Sequence, residues 1–379
     1  MQLADSSAIR FATRLLFLVA GFGYACWAPL VPLTKAKFGI DENVLGLLIL
    51  CIGVGSITAM VATGMLATRF GSKPILLGSG FGFAVMLALV PVASSIPLLG
   101  LVLFGFGATL GALDVAMNLQ AVQVEKAAQR PMMSGFHALF SIGGFSGAAF
   151  MTFLLSMQVP VLAGTLLCAA LMVLALCFTA PRLLSGGATP GGPLFAVPRG
   201  LVLVLAVLAA VTFLVEGALL DWSALLITQA QLVPVAQGGI GYIIFSVAMT
   251  AGRLSGDWLS GRLGDFRTLL WGGLVGLLGF VMLLTGHQAA LVLSGFALIG
   301  LGCANIVPVL YTAVGRQRRM PESVAVPAVS TLGYAGILAG PALIGAAAHV
   351  TTLATAFLGV GGLLLLVAAS GRWLEPAER

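Results

Sequence analysis

Asp114 and Asn118 are a carboxylate and an amide placed four residues apart within a long run of apolar residues. Gly107 and Gly111 precede them at a spacing that puts all four on one helix face, so a neighbouring backbone can approach beside them. Burial disfavours the charged form of an acid, and a lone carboxylate at the centre of a membrane helix costs roughly 2.5–3.5 kcal/mol. The pair is therefore a candidate for binding a proton or a polar solute. The alternative is a hydrogen-bonded contact that ties two helices together.

A second acid, Glu216, follows about sixteen mostly apolar residues in the segment VEGALLDWSALL. A carboxylate at this depth is a candidate for substrate or proton binding, with a buried structural hydrogen bond as the alternative. Asp221 lies nearer the end of the same segment, and a structural role explains it equally well. His137 lies about one turn inside another apolar segment, where an imidazole can exchange a proton or form a hydrogen bond between helices.

Arg253 and Asp257 are four residues apart, so their opposite charges share one face of a helix. Their place near the end of an apolar segment favours a structural role, because paired charges near a helix end perturb their surroundings little. Aromatic and amide side chains within apolar segments provide further candidates for contact with a flat or polar solute. These are Tyr24, Trp27, Asn305 and Tyr334. For Trp27 a place at the membrane interface, where Trp and Tyr are enriched, is the favoured alternative.

The elements that must hold these residues are helices in lipid. Of the 379 residues, 60% are hydrophobic and 8% are charged, whereas about a quarter of the residues of a soluble protein are charged. Helices satisfy their own backbone hydrogen bonds in lipid, and a span needs about 20 apolar residues. The chain is therefore predicted to be an all-α polytopic membrane protein with twelve transmembrane helices. The predicted spans are roughly 11–34, 44–68, 74–93, 96–124, 133–156, 159–180, 200–227, 238–261, 268–286, 289–314, 324–348 and 352–371.

The basic residues predict the orientation of these spans. With the N-terminus inside, fifteen Lys and Arg residues fall in cytoplasmic segments, and only Lys35 and Lys37 fall on the opposite side. Both termini are therefore predicted to be cytoplasmic. The net charge of +6 is explained by this asymmetry, so no nucleic-acid partner is expected.

The sequence also contains a repeat. The loop RFGSK (69–73) recurs as RLGDF (262–266), an offset of 193 residues that also relates Gly147 to Gly340. This offset predicts two six-helix halves, residues 1–180 and 200–379. The stretch 181–199 between them is rich in Gly and Pro, which is typical of a linker.

A chain with these features resembles the major facilitator superfamily. The family's loop pattern, roughly G-x-L-x-D-R-x-G-R-K, is matched by GMLATRFGSK (64–73), with Thr68 in place of the acid. The resemblance implies a rocker-switch fold, a substrate site between the halves near mid-membrane, and gating roles for Arg69 and its repeat equivalent Arg262. Because Thr68 cannot supply the usual ion pair, Arg253 and Asp257 are expected to replace it at the inner gate.

Shorter stretches resemble particular branches of that family. DVAMNLQAVQVE (114–125), SGFHALFSIGGFSGA (134–148) and EGALLDWSALLI (216–227) are similar to the YbjJ-type bacterial inner-membrane permeases. The order of an Asp and an Asn in span 4 and a His in span 5 resembles the fucose/glucose permease branch. The first likeness implies the bacterial inner membrane, and the second implies a sugar-like substrate.

These observations favour a secondary transporter of a small polar solute, coupled to protons through Asp114 or Glu216. The ATP-binding pattern G-x-x-x-x-G-K-[ST] and the common catalytic motifs are missing from the sequence, so an enzyme, a cofactor and a bound metal are not expected. The partners expected are the solute, protons and the lipid bilayer, with the chain acting as a monomer. An exporter of amphiphilic compounds or metabolites is the alternative, and a non-transporting membrane sensor is the alternative from another class.

Overall fold

The computed structural model describes residues 6–40, 42–184, 197–231, 233 and 240–371. The regular secondary structure of these residues is helical throughout. Most of the predicted linker, residues 185–196, lies outside the described residues. The longer helices are α1 (Ser7–Ala25), α2 (Leu30–Phe38), α3 (Glu42–Phe70), α4 (Ser72–Leu89), α5 (Ile96–Ala128), α6 (Met133–Ser156), α7 (Val161–Thr179), α8 (Leu201–Gln229), α9 (Ile240–Thr285), α10 (Ala289–Cys303), α11 (Ile306–Arg316), α12 (Glu322–Val350) and α13 (Leu353–Ser370).

Eleven helical segments of the described residues are long and apolar enough to cross a membrane. The difference from the twelve predicted spans arises at α9, whose 46 residues cover the eighth and ninth predictions. A straight helix of that length would extend about 69 Å, more than twice the roughly 30 Å of a bilayer core. Gly264 interrupts α9 with non-helical angles, φ 76° and ψ 166°, so two helices meet there. The chain is an all-α polytopic membrane protein, as predicted.

The interruption at Gly264 has an equivalent in the other half of the sequence. Gly71, which precedes α4, has φ 79° and ψ 169°. Only glycine adopts this region of backbone conformation without strain. The two glycines are 193 residues apart and lie in the repeated loops RFGSK and RLGDF. Their matching conformations are those expected of equivalent positions in a repeat.

Two predicted spans are not continuous helices. The first is divided between α1 and α2 by a turn at residues 26–29, and the tenth is divided between α10 and α11 at Ala304 and Asn305. Prolines accompany both breaks: Pro29 immediately precedes α2, and Pro308 lies in the first turn of α11. Proline lacks the N–H that continues a helix, so a backbone donor is missing at each break.

The described chain divides into two compact units. Unit 1 comprises the described parts of Met1–Gln129, Leu139–Ala196 and Pro321–Pro327, and within it α5 packs against α1, α3 and α4. Unit 2 comprises the described parts of Arg130–Ala138, Val197–Met320 and Ala328–Arg379, and within it α9 packs against α10 and α13. Unit 2 thus contains the first turn of α6, and unit 1 contains the first turn of α12.

Candidate functional site

In unit 1, Asp114 and Asn118 form a buried polar pair on α5. Asp114 is 8% exposed and Asn118 is fully buried. The Asn118 amide Nδ2 donates to the backbone carbonyl of Asp114 at 2.9 Å and to its carboxylate Oδ1 at 3.3 Å. The Asn118 Oδ1 atom is buried and has no hydrogen-bond partner among the described residues. It is therefore an acceptor available to a polar ligand.

The glycines that precede this pair set its surroundings. A Cβ atom on Gly107 would lie 1.9 Å from the carbonyl oxygen of Ile52, and one on Gly111 would lie 2.5 Å from that of Ser56. The Ser56 hydroxyl donates to the Gly107 carbonyl at 2.9 Å. The backbone of α3 therefore lies directly against the glycine face of α5, as the spacing predicts.

In unit 2, Glu216 of α8 pairs with Arg253 of α9. The Arg253 Nη2 atom lies 3.4 Å from Glu216 Oε1, and the two side chains are 8% and 22% exposed. The Nε atom of Arg253 also donates to the backbone carbonyl of Ala304 at 3.3 Å. The sequence placed no basic residue near Glu216 along its own helix, and the structure provides one from the next helix.

The Asp257 carboxylate caps the first turn of α6. Its Oδ2 atom accepts a hydrogen bond from the backbone N–H of Gly135 at 3.0 Å. A carboxylate is favourable at a helix N-terminus because unpaired N–H groups and the helix dipole meet there. Two residues further along α6, the His137 ring stacks on Tyr311 with centroids 5.7 Å apart. The intrahelical pairing of Arg253 with Asp257 stays a prediction.

The remaining candidates lie in different settings. Asn305, 5% exposed, donates through Nδ2 to the carbonyl of Gly252 at 3.1 Å. Tyr334 of α12 packs edge-to-face against Phe213 of α8, with ring centroids 5.9 Å apart. Tyr24 is 45% exposed near the end of α1, whereas Trp27 is 6% exposed in the turn that follows. The Trp27 side chain therefore packs almost entirely against other residues of the protein.

The two arginines of the repeated loops contact aromatic rings on their own helices. The Arg69 guanidinium lies 5.3 Å from the centroid of the Phe70 ring, and that of Arg262 lies 4.5 Å from Trp258. Both arginines are exposed. Their predicted gating roles stay predictions.

Sequence reasoning missed a set of contacts at the first turn of α12, within unit 1. Lys126 at the end of α5 forms an ion pair with Glu322. A Cβ atom on Gly64 would lie 2.8 Å from the carbonyl oxygen of Ser323. The repeat offset of 193 relates Gly64 to Asp257, so equivalent positions contact the first turns of α12 and α6. That offset, applied position by position, was the signal that could have identified these contacts.

Comparison with known proteins gives consistent results along most of the chain. The family model described as Major Facilitator Superfamily matches residues 15–326. An uncharacterized MFS-type transporter of Yersinia pestis is 44% identical over 95% of this chain and 94% of its own length. An uncharacterized transporter of Sinorhizobium fredii is 31% identical over 93% and 94%, respectively.

Solved structures share the fold at low sequence identity. The fucose:proton symporter of E. coli superposes with a TM-score of 0.77 at 14% identity, covering 96% of this chain and 98% of that one. The human organic anion transporter MFSD10 superposes with a TM-score of 0.73 at 16% identity, with the same coverage. At these identities the likeness establishes the fold alone.

Proposed function

Because the chain belongs to the Major Facilitator Superfamily, a family of membrane transporters, we propose that it moves a small polar solute across the bacterial inner membrane. In this proposal the protein alternates between inward- and outward-facing states, and transport of the solute is coupled to transport of protons. The observation that carries this proposal is the ion pair of the half-buried Glu216 with the buried Arg253. Intramembrane ionisable residues are rare and mark ion or substrate paths in transporters.

The Glu216–Arg253 pair provides a chemical basis for coupling. When Glu216 is ionised, it compensates the buried guanidinium of Arg253. When a proton neutralises Glu216, Nη2 of Arg253 loses a charged acceptor and becomes available to an oxygen atom of the solute. Proton binding and solute binding then favour one another, and this linkage is reciprocal by thermodynamic necessity. Alternating access carries both across together.

The pair of Asp114 and Asn118 is the second candidate for the same chemistry. The buried Asn118 Oδ1 can accept a hydrogen bond from a solute hydroxyl, and Asp114 can take up a proton as the alternative to Glu216. An amide both donates and accepts hydrogen bonds, which suits neutral oxygen-rich solutes such as sugars and polyols. The fold of the E. coli fucose:proton symporter supports the same substrate class by analogy.

The first experiment identifies the solute. Purified full-length chain in detergent is heated in the presence of individual sugars, polyols, organic acids and nucleosides. A solute that binds only the folded state raises the melting temperature, by an amount that grows with the logarithm of its concentration relative to Kd. A sugar or polyol is the expected hit. If an organic acid or nucleoside alone stabilises the chain, the sugar-like substrate class is wrong.

Transport is then measured in proteoliposomes with the stabilising solute. Accumulation inside the vesicles is expected only when the external side is more acidic, and a protonophore should abolish it. Accumulation driven by the opposite gradient would identify the alternative, a proton-driven exporter. If a solute binds to the protein but is transported under neither gradient, the non-transporting sensor is favoured.

A further inference from the structure

The tenth predicted span is interrupted where it passes the side chain of Arg253. α10 ends at Cys303 and α11 begins at Ile306, although both lie in one apolar segment, Ala289–Arg316. The two residues of the break, Ala304 and Asn305, are 0% and 5% exposed. Non-helical backbone at membrane depth is tolerated only where protein or a water-filled cavity satisfies its hydrogen bonds. The break is therefore stabilised by its protein neighbours.

Pro308 leaves one backbone carbonyl without its helical partner. In a continuous helix, the carbonyl of Ala304 accepts from the N–H of residue 308, and proline has no N–H. This carbonyl accepts instead from Nε of Arg253 at 3.3 Å. The same guanidinium reaches Glu216 Oε1 through Nη2. The contacts of Arg253 thus include both a neutral main-chain acceptor and a carboxylate.

Asn305 holds the break against α9. Its amide donates to the carbonyl of Gly252, the residue before Arg253. A Cβ atom on Gly252 would lie 2.6 Å from Ala304 Cβ, and one on Gly256 would lie 1.8 Å from Asn305 Oδ1. Real Cβ contacts are not this short, so both glycines are needed for the approach that brings the Ala304 carbonyl to Arg253.

We infer that Pro308 and Asn305 are positioning residues: by breaking the helix they give Arg253 a second, uncharged anchor that keeps the guanidinium in place when Glu216 is neutral. The inference rests on the proposed role of the Glu216–Arg253 pair. Neutralising Glu216 removes one compensating charge from a buried guanidinium, which is costly, and the Ala304 carbonyl reduces that cost. The anchor therefore matters more when Glu216 carries a proton than when it is ionised.

A double-mutant cycle tests the inference without any solute. The melting temperature of the purified full-length chain is measured at about pH 5 and about pH 8 for the native chain, Pro308→Ala, Glu216→Gln and the double variant. Alanine at 308 supplies the missing N–H, and a helix that continues through the break turns the Ala304 carbonyl toward this N–H and away from Arg253. In the native background, Pro308→Ala should lower the melting temperature more at the acidic pH, by roughly 1–2 °C.

The Glu216→Gln background shows whether Pro308→Ala acts through the position of Arg253 or destabilises the protein in general. Glutamine stays neutral, so Pro308→Ala should there lower the melting temperature equally at both pH values. Asp257, His137 and Cys303, which are also titratable and lie in this region of unit 2, are present in all four proteins, so the comparison between backgrounds holds them constant. The inference is overturned if the effect of Pro308→Ala is the same at both pH values in the native background, or has the same pH dependence in both backgrounds.

A second pair of variants keeps the test valid if Pro308→Ala does not fold. Gly252→Ala should push the Ala304 backbone away and produce the same acid-dependent loss, and Gly252→Ala/Ala304→Gly should restore the native values by returning the space. Failure of the double variant to recover would contradict the inference. Pro97→Ala is the matched control, because Pro97 occupies the first turn of α5, where a helix N–H is unpaired in any case. None of these measurements involves transport, so their failure and that of the proposed function are distinguishable.

Discussion

Glu216 and Arg253 come from neighbouring helices of unit 2 and meet with Oε1 and Nη2 3.4 Å apart, largely removed from solvent. Breaking a buried ion pair on one side leaves the other charge uncompensated, whereas removing both charges is often tolerated. This asymmetry distinguishes a true pair from two charges that are close by chance.

The pair predicts a rescue. Arg253→Met should lower the melting temperature of the purified chain by several degrees, because it leaves the Glu216 carboxylate without its cation. Arg253→Met/Glu216→Gln should recover most of that loss. Asp221→Asn, on the same helix as Glu216, serves as the control and should give no rescue of Arg253→Met. A double variant no more stable than the single one would contradict the pairing.

Asp257 predicts a change in the balance between the inward- and outward-facing states. Asp257→Ala removes the acceptor for the Gly135 N–H and should shift the labelling of single cysteines placed at either end of the helices. Asp257→Asn keeps an oxygen acceptor for the Gly135 N–H but loses the negative charge, so it should give a smaller shift in the same direction. If labelling at both ends is unaltered in both variants, Asp257 has no part in gating.

The glycine face of α5 predicts a position-specific loss of folding. Gly107→Ala places a Cβ atom 1.9 Å from the carbonyl oxygen of Ile52, which is part of a helix backbone and cannot move aside alone. The yield of folded, monodisperse protein in detergent should fall severely. Gly78→Ala on α4 is the matched control, because no atom lies within 4 Å of its new Cβ. Equal yields for the two variants would show that α3 and α5 are not in close contact.

The basic residues predict the topology. A small tag inserted at residue 190 and a tag at the C-terminus should both be protected from a membrane-impermeant label in intact cells, and both should react after the membrane is opened. A tag inserted after Gly39, beside Lys37, should be labelled from outside. Labelling of the residue 190 tag in intact cells would overturn the twelve-span orientation.

The helices were predictable from the sequence because length and apolarity in lipid are local properties. Residues 44–68 were predicted for α3, which runs from Glu42 to Phe70. The close approach at Gly107 and Gly111 was also predictable, because it depends only on spacing along one helix. The breaks at residues 26–29 and 304–305 were missed, because the apolar pattern continues through them.

The partners of the charged residues were not predictable in the same way. Arg253 is 37 residues from Glu216, and Lys126 is 196 residues from Glu322. Contacts at such separations depend on which helices pack together, and one sequence does not contain that information. Helical spacing reveals only intrahelical neighbours, so it identified Asp257 as a candidate partner of Arg253 and could not identify Glu216.

The central claim is that Glu216 or Asp114 carries the coupled proton, and one measurement tests it most directly. Glu216→Gln and Asp114→Asn are reconstituted separately in proteoliposomes with the solute found by thermal stabilisation, and uptake is followed across a range of pH gradients. At least one amide variant should lose gradient-driven uptake while retaining solute exchange, because an amide keeps the shape of the protonated acid and cannot release a proton. If both variants accumulate the solute with the pH dependence of the native chain, neither acid carries the proton and the proposed mechanism is wrong.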